Sequence, residues 1–183
     1  MNNRRINAFW SVVASIAMVA AATANADNHA SGIEACMEEH SQMQLGSWEG
    51  RVQWMTPTAG GGFQWQGTIT EVEGGFHNAV KNITSGQSFT NQWTNKAVVQ
   101  IDSPAWISEE KVTTYTEYCN HDQNGSVLQR RWVGTSSQNG AILENVDQMT
   151  VAGGRWHWTI ATRPAGSDEP LNVWWSSMGQ KVE

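Results

Sequence analysis

Apolar and polar residues alternate along most of the chain from about position 46 onward. In the first such segment Trp48, Gly50, Val52 and Trp54 alternate with charged, amide or methionine side chains. A period of two is typical of a β-strand with one buried and one exposed face. The alternation returns over 63–69, so the pattern predicts a protein built mainly from strands.

Short turns rich in glycine and asparagine separate the later apolar segments. Asn124-Gly125 and Asn139-Gly140 are typical of hairpins because this dipeptide accommodates positive φ angles. Connections this short leave no room for crossover helices, so we predict an all-β, antiparallel, up-and-down barrel of about nine or ten strands closed on itself, with a sandwich as the alternative. The predicted strands cover residues 48–55, 63–69, 76–84, 88–94, 97–101, 111–119, 127–134, 141–151, 155–163 and 171–178.

Before the strands, the apolar period changes to that of a helix. Residues 27–40 are predicted to form a short helix whose apolar face packs on the barrel. That face comprises Ile33, Cys36, Met37 and His40. The predicted organisation is a signal peptide over 1–26, a short helix and linker over 27–45, and one barrel domain over 46–183.

The first 26 residues have the pattern of an export signal. Arg4 and Arg5 precede an apolar stretch over 9–22, and Ala24-Asn25-Ala26 provides a small-x-small cleavage pattern. The apolar stretch is shorter than the roughly 20 residues that span a bilayer as a helix. We therefore predict cleavage before Asp27, no membrane span afterwards, and a periplasmic or secreted protein.

Charge and length limit the classes of partner. The chain has a formal net charge of −6, and loss of the signal with its two arginines makes the balance more negative. An acidic chain is a poor partner for nucleic acid or an anionic membrane surface. The length after cleavage suits one domain, and we expect a monomer or a dimer.

Cys36 and Cys119 are the only cysteines. An exported protein meets an oxidising compartment, so a disulfide between them is the first prediction, and two separate thiols are the alternative. Two distant cysteines without a CxxC pair or a nearby histidine pair are poor evidence for a zinc site. We predict no metal and no cofactor.

Tryptophan is unusually frequent, with eleven residues against two tyrosines and four phenylalanines. Indoles can fill the core of a small barrel, or they can line a cavity and stack on an aromatic ligand while their N–H groups give directional bonds. Both interpretations stay open for each residue. The candidate ligand-binding residues are Trp54, Trp65, Trp93, Trp156, Trp158 and Trp175.

Neutral amides lie between these tryptophans. They could orient a polar, uncharged ligand without the desolvation cost of a charge, or they could simply form the exposed faces of strands. The amides are Gln64, Gln66, Asn78, Asn82, Asn91, Gln92, Asn95, Gln129 and Gln148.

Titratable groups do not converge on a catalytic pattern. Nucleophile motifs and phosphate-binding glycine loops are missing from the sequence. Arg131, Glu144 and Asp147 lie on adjacent predicted strands and are expected to pair outside the barrel. The other candidate acids, bases and charged groups are His77, Tyr115, Glu117, Tyr118, His121, Asp122 and His157. No residue is assigned as catalytic.

One short motif resembles a known family. Gly46-Ser47-Trp48-Glu49-Gly50 resembles the GxW start of lipocalins and the GxWxG start of calycin-like barrels, which include nitrobindin-type proteins and uncharacterised secreted bacterial domains. The resemblance implies that Trp48 closes one end of the barrel, with Gly46 and Gly50 in structural roles. Nitrobindin-like proteins bind haem through a late histidine. The latest histidine here, His157, is expected to face outward, so haem is not expected.

These observations predict an exported β-barrel that binds a small hydrophobic or aromatic molecule in a tryptophan-lined cavity. The alternative is an isomerase, cyclase or lyase on the same barrel, using an interior Tyr, His or Glu as acid or base. A barrel with a filled, ligand-free core is the third possibility. Whether the protein is an enzyme stays open at this stage.

Overall fold

A short helix precedes ten strands in residues 31–182, the part of the chain that this computed structural model describes. The predicted signal peptide lies outside the described residues. Helix α1 covers 31–44, and none of the described helical segments is long and apolar enough to cross a membrane. The strands are β1 (Gly46–Met55), β2 (Gly60–Val72), β3 (Gly75–Asn82), β4 (Ser88–Trp93), β5 (Val98–Asp102), β6 (Lys111–Asp122), β7 (Gly125–Thr135), β8 (Ile142–Ala152), β9 (Arg155–Pro164) and β10 (Asn172–Val182).

The strands form one antiparallel sheet that curls into a nearly closed barrel. Their order is β4-β3-β2-β1-β10-β9-β8-β7-β6-β5, so the first and last strands pair with each other. This confirms the predicted all-β, up-and-down barrel with a short N-terminal helix. Closure is less complete than predicted, because β4 and β5 end the sheet and do not pair with each other.

Helix α1 packs against the connection between β4 and β5. The Glu34 carboxylate accepts bonds from Lys96 Nζ at 3.1 Å and from the Ala97 amide at 3.2 Å. Ser41 Oγ donates to Asn95 Oδ1 at 2.9 Å. The helix therefore holds the connection that joins the two unpaired edge strands.

The predicted disulfide is present. Cys36 and Cys119 are bonded, with their Cα atoms 5.9 Å apart, which ties α1 to β6. Ile33 and Met37 of the predicted apolar face are buried in a cluster with Leu128 and Ala97. The helix face packs on the barrel, as its spacing predicts.

The helix ends at residue 44, four residues later than predicted. Residues 41–44 have a polar sequence typical of a linker, yet Ser41 and Gln44 are both buried. Trp48 Nε1 donates to the Gln44 carbonyl at 2.6 Å. This tertiary bond and the burial of the last turn extend the helix beyond what local pattern indicates.

The opening glycines of β1 have conformations and positions that exclude a side chain. Gly46 has a φ angle of 115°, which residues with a Cβ atom rarely adopt. A Cβ atom at Gly50 would lie 2.0 Å from the Met178 carbonyl oxygen on β10. These glycines allow β1 to start beside α1 and to approach β10 closely.

Candidate functional site

The barrel has two ends of different construction. The closed end is the one where α1 and the turns at 73–74, 123–124 and 153–154 lie. The mouth is the opposite end, where residues 56–59, 83–87, 103–110, 136–141 and 165–171 connect the strands.

Aromatic rings contact one another in series along the interior, from the closed end toward the mouth. Trp48 meets Trp156 edge-on, with ring centroids 6.5 Å apart. Trp156 stacks on Trp158 at 6.4 Å with an interplanar angle of 11°. Trp158 then meets Trp175 at 6.0 Å, and Trp175 meets Phe63 at 6.2 Å. The interior therefore presents one connected aromatic wall.

Alternation along β9 explains part of this arrangement. Trp156 and Trp158 face inward, whereas the exposed His157 lies between them and its Nε2 atom is 3.2 Å from Ser176 Oγ. This is the orientation that period two predicts for His157. The histidine therefore contributes nothing to the interior.

Glycines on neighbouring strands make room for two of the rings. A Cβ atom at Gly179 would lie 2.9 Å from the Trp65 ring, and one at Gly61 would lie 2.8 Å from the Trp54 ring. Ordinary side chains at these positions would displace the indoles. The small residues therefore fix where the large ones lie.

The tryptophans fall into two classes by the partners of their N–H groups. Near α1, Trp48 Nε1 donates to the Gln44 carbonyl, and Trp93 Nε1 donates to Ser41 Oγ at 3.2 Å. Another set has buried Nε1 atoms without a hydrogen-bond partner among the described residues: Trp65, Trp106, Trp156, Trp158 and Trp175. The first class attaches the helix, and the second has N–H groups that are buried without an acceptor in the described part of the chain.

An ion pair lies within the barrel wall on its inner side. Arg130 of β7 faces Asp147 of β8 directly across the strand pair. Arg130 donates to this carboxylate through Nε at 3.1 Å and Nη2 at 2.6 Å, and the side chains are 16% and 6% exposed. Such bidentate geometry is among the stronger forms of charged hydrogen bonding.

The location of Asp147 corrects the prediction that it pairs outside the barrel. Arg131 and Glu144 do pair on the outer face, where Arg131 also contacts Glu117 at 2.6 Å and Glu144 contacts Arg163. Asp147 lies an odd number of residues from Glu144, so alternation places it on the opposite face. The neighbouring Arg130, which the sequence reasoning missed, is its partner.

A buried histidine lies near this ion pair. His40 of α1 is 1% exposed, and its Nδ1 atom is 2.9 Å from Ser126 Oγ. Ser126 Oγ also donates to the Asn120 carbonyl at 3.3 Å. Nε2 has no partner in the described part of the chain.

His40, Arg130 and Asp147 together carry no net charge at neutral pH. Burial, followed by the positive charge of Arg130, lowers the pKa of His40 to about 4. Burial works against the charge of Arg130, but the charge and hydrogen bonds of Asp147 outweigh it and raise the pKa of the guanidinium. At neutral pH this set consists of the Arg130–Asp147 ion pair and an uncharged imidazole.

A second aromatic group lies at the mouth. Trp106, in the connection between β5 and β6, meets Trp174 at 4.5 Å and Trp132 at 6.3 Å. A register shift between Val173 and Trp175 accommodates Trp174 in β10. Sequence reasoning missed this group, although two adjacent tryptophans in one strand already indicate an irregular position.

Five of the six predicted ligand-binding tryptophans belong to or pack against one hydrophobic cluster in the interior: Trp54, Trp65, Trp156, Trp158 and Trp175. Trp93 also packs against this cluster, but it stacks on Phe76 at 5.8 Å and bonds to Ser41 of α1. Trp93 therefore contacts both the interior cluster and helix α1.

The predicted amides are mostly on the surface. Asn78 is the exception, because it is 7% exposed and its Oδ1 atom has no partner among residues 31–182. Asn145, which the sequence reasoning did not select, is fully buried and accepts a bond from Thr162 Oγ1 at 3.0 Å. An isolated asparagine gives no sequence signal for such burial.

The predicted acid and base candidates lie largely outside. Tyr115 and Tyr118 are about half exposed, and Glu117 pairs with Arg131 on the outer face. Asp122 Oδ1 accepts the amides of Asn124 and Gly125 in a turn, and these bonds lower its pKa. The interior acid or base expected under the enzyme alternative is therefore not one of these tyrosines or Glu117.

Two depressions lie on the outer wall, and their linings include the buried Trp65 and Trp48, respectively. One, of about 650 Å³, is bordered by polar side chains of β1, β2 and β10, including Glu49, Gln66 and Gln180. The other, of about 410 Å³, lies over β2, β3 and β4 and includes Lys81 and Thr90. Over residues 31–182, no group of three or more His, Cys, Asp or Glu side chains is placed to hold a metal ion.

Comparison with known proteins identifies the fold and no more. No family model matches the chain, and no curated protein matches it. The crystal structure of Rv2717c from Mycobacterium tuberculosis is similar, with a TM-score of 0.58 and 12% identity over 80% of this chain and 98% of that one. A Bacteroides fragilis structure, BF2706, aligns over 75% of each chain at 10% identity with a TM-score of only 0.17. The first likeness supports a shared barrel fold, and the second carries no argument.

Proposed function

We propose that this protein is an exported barrel that binds a small aromatic or hydrophobic molecule against its interior tryptophans. The observation that carries the proposal is the set of buried indole N–H groups without acceptors, at Trp65, Trp156, Trp158 and Trp175. Their rings supply a stacking surface, and their N–H groups supply directional bonds. A ligand with acceptor atoms would use both.

Energetics favour this over a purely structural core. A buried donor left without an acceptor costs about 1–3 kcal/mol. Phenylalanine would fill similar interior space without this cost, and leucine would also pack well. Four such unpaired donors in one interior are therefore better explained if a bound molecule provides their acceptors.

The degree of burial indicates where a ligand would enter. Trp48 is 2% exposed and Trp65 3%, whereas the inward-facing Trp54, Trp158 and Trp175 are only partly buried. The less buried rings lie toward the mouth, where Trp106 and Trp174 meet. A ligand would enter there and stack on Trp158 and Trp175.

The disulfide supports export, because such bonds form and persist mainly in oxidising compartments. The proposed setting is therefore the periplasm or the extracellular space. The same compartment is predicted by the N-terminal segment.

Native mass spectrometry tests the proposal. The protein is expressed as the whole 183-residue chain and purified without denaturation from the compartment that it reaches. We expect a population whose mass exceeds that of the polypeptide by a few hundred daltons, and we expect the extra mass to be lost on denaturation.

A matched pair of variants links any bound mass to the site. Trp158→Ala removes a wall of the proposed site, whereas His157→Ala changes the neighbouring residue on the outer face. We expect the first to abolish or strongly reduce the bound population and the second to retain it. Equal retention in both variants would place the ligand elsewhere, and a polypeptide without bound mass that also binds no aromatic probe would favour a filled barrel.

A further inference from the structure

Among the buried side-chain atoms of residues 31–182, hydrogen-bond donors without a partner outnumber acceptors without one. Within the described residues, Asn78 Oδ1 is a buried side-chain acceptor without a donor, and His40 Nε2 is a buried ring nitrogen without a partner. The donors without an acceptor are more numerous: Nε1 of Trp65, Trp156, Trp158 and Trp175 inside the barrel, together with Nε1 of Trp106 near the mouth. The bonds from Arg130 to Asp147 use Nε and Nη2, and the guanidinium has further N–H groups beyond this pair.

Arg130 and two of the tryptophans are joined by one line of register partners across the sheet, which strand tilt inclines to the barrel axis. The strand register pairs Arg130 with Asp147, Asp147 with Ile160, Ile160 with Trp175, and Trp175 with Trp54. All five residues have the same inward parity. The guanidinium and these two indoles therefore share one line of register partners.

The charges on this line of register partners already cancel. Arg130 and Asp147 bond to each other in bidentate fashion, and the adjacent His40 is buried without a charged partner of its own. An anionic or cationic ligand would leave one charge unpaired in a largely buried site, which is strongly unfavourable. An uncharged ligand avoids that penalty.

We propose that the ligand is an uncharged aromatic molecule with several hydrogen-bond acceptors and few donors, such as an aromatic ketone, quinone or lactone. This inference rests on the proposed function and specifies its ligand class. Carbonyl oxygens would accept from the indole N–H groups, and the aromatic body would stack on Trp158 and Trp175. A ligand rich in hydroxyl donors would find few acceptors.

Four related probes separate the contributions of charge, acceptor and ring. Isothermal titration calorimetry measures binding of 2-acetylnaphthalene, 2-naphthol, 2-naphthoate and naphthalene to the protein purified from cells that express the whole chain. All four share one aromatic body but carry a carbonyl acceptor, a hydroxyl donor, an anion and no polar group, respectively. We expect 2-acetylnaphthalene to bind about tenfold more tightly than each of the others, as one well-formed hydrogen bond predicts.

Two substitutions of the same kind provide the internal control. Trp158→Phe keeps a ring but removes an unpartnered N–H group, so the preference for 2-acetylnaphthalene over naphthalene should fall about threefold or more. Trp48→Phe removes an N–H group that already donates to Gln44, so the same preference should remain. Circular dichroism and a thermal melt establish that each variant is folded.

Each other result overturns the inference in a recognisable way. Tightest binding of 2-naphthoate would indicate an anionic ligand, and tightest binding of 2-naphthol would indicate a donor-rich one; both outcomes leave the binding function intact. Equal affinity for all four would show that the polar groups do not select the ligand. If no probe binds, the aromatic ligand class fails, and the native mass spectrum decides separately whether the barrel carries any ligand.

Discussion

The closed end and the mouth half of this barrel use the same residue type in different ways. At the closed end Trp48 is 2% exposed, its N–H group is bonded, and Lys181 Nζ lies 5.8 Å from its ring centre. Toward the mouth, Trp158 and Trp175 are only partly buried, and their N–H groups have no acceptor among the described residues. A tryptophan that completes its bonds within the chain serves the fold, whereas the tryptophans that do not are the ones proposed to bind a ligand.

Helix α1 provides the partners that complete the hydrogen bonds of the tryptophans at the closed end. The helix provides the acceptor for Trp48, the hydroxyl for Trp93 and the cysteine for the disulfide. The mouth has no comparable covering helix among residues 31–182, only connecting segments. Stability is therefore expected to depend mainly on the closed end, and binding mainly on the mouth half.

Removal of the disulfide should have the largest effect on stability. The bond links residues 83 positions apart, and the chain-entropy relation gives about 4–5 kcal/mol for a loop of that length. We expect the Cys36→Ala/Cys119→Ala protein to lose that much free energy of unfolding, measured by urea denaturation against the oxidised protein. A loss below about 1 kcal/mol would mean that packing alone holds α1 and that the closed end does not depend on the crosslink.

Truncation of one indole at each end should separate the two halves. Trp48→Ala removes a nearly fully buried ring and its bond to Gln44, and such core truncations cost about 3–5 kcal/mol. Trp54→Ala removes a partly buried ring near the mouth, so we expect about 1–2 kcal/mol from its smaller burial. Chemical denaturation of both variants provides the comparison. Equal costs would contradict the division between a structural end and a binding end.

Acid should destabilise the closed end through His40. The unfolded chain binds a proton at this residue near the ordinary pKa of 6.5, but burial and the charge of Arg130 lower the folded-state pKa to about 4. Between these values protons favour the unfolded chain, so stability falls as pH falls and the loss reaches about 3 kcal/mol near pH 4. Urea denaturation between about pH 7 and pH 5 detects most of this change before the ordinary carboxyl range is reached.

Two histidine variants assign that acid effect. His40→Gln should flatten the dependence of unfolding free energy on pH in this range, because glutamine does not titrate. His157→Gln, on the exposed outer face, should retain the dependence. If the His40 variant keeps the full slope, another group is responsible and the buried imidazole is not the source.

Most of the fold could be predicted from the sequence because alternation and turn residues are local signals. Period two correctly places Trp156 and Trp158 inside and His157 outside, and the two cysteines could pair in only one way. The last turn of α1 was not predictable, because its polar residues are buried only by contacts such as the bond between Gln44 and Trp48. Long-range burial of this kind has no local pattern.

The candidate site was only partly predictable for a related reason. Tryptophan content indicated an aromatic interior, but the sequence does not show which N–H groups find acceptors. Arg130 and Asp147 resemble the charged residues of an exposed strand face, and only their register across β7 and β8 shows that they pair on the inner side. The identity of the interior polar groups therefore had to come from the structure.

A tryptophan-to-phenylalanine substitution in each region should have the smallest effect on the free energy of unfolding, and it compares the two regions most directly. Trp48→Phe removes a bonded N–H group and leaves the Gln44 carbonyl without that donor, so we expect a loss of about 2–3 kcal/mol in unfolding free energy. Trp158→Phe removes a group with no acceptor in the described chain. Relief of its desolvation penalty offsets part of the lost ring burial, so we expect a cost below about 1 kcal/mol. Both values are measured by denaturation of protein stripped of any ligand. Equal costs would show that the Trp158 N–H group has a partner in the unliganded protein, such as an ordered water, and that this indole is as complete in its bonding as the one at the closed end.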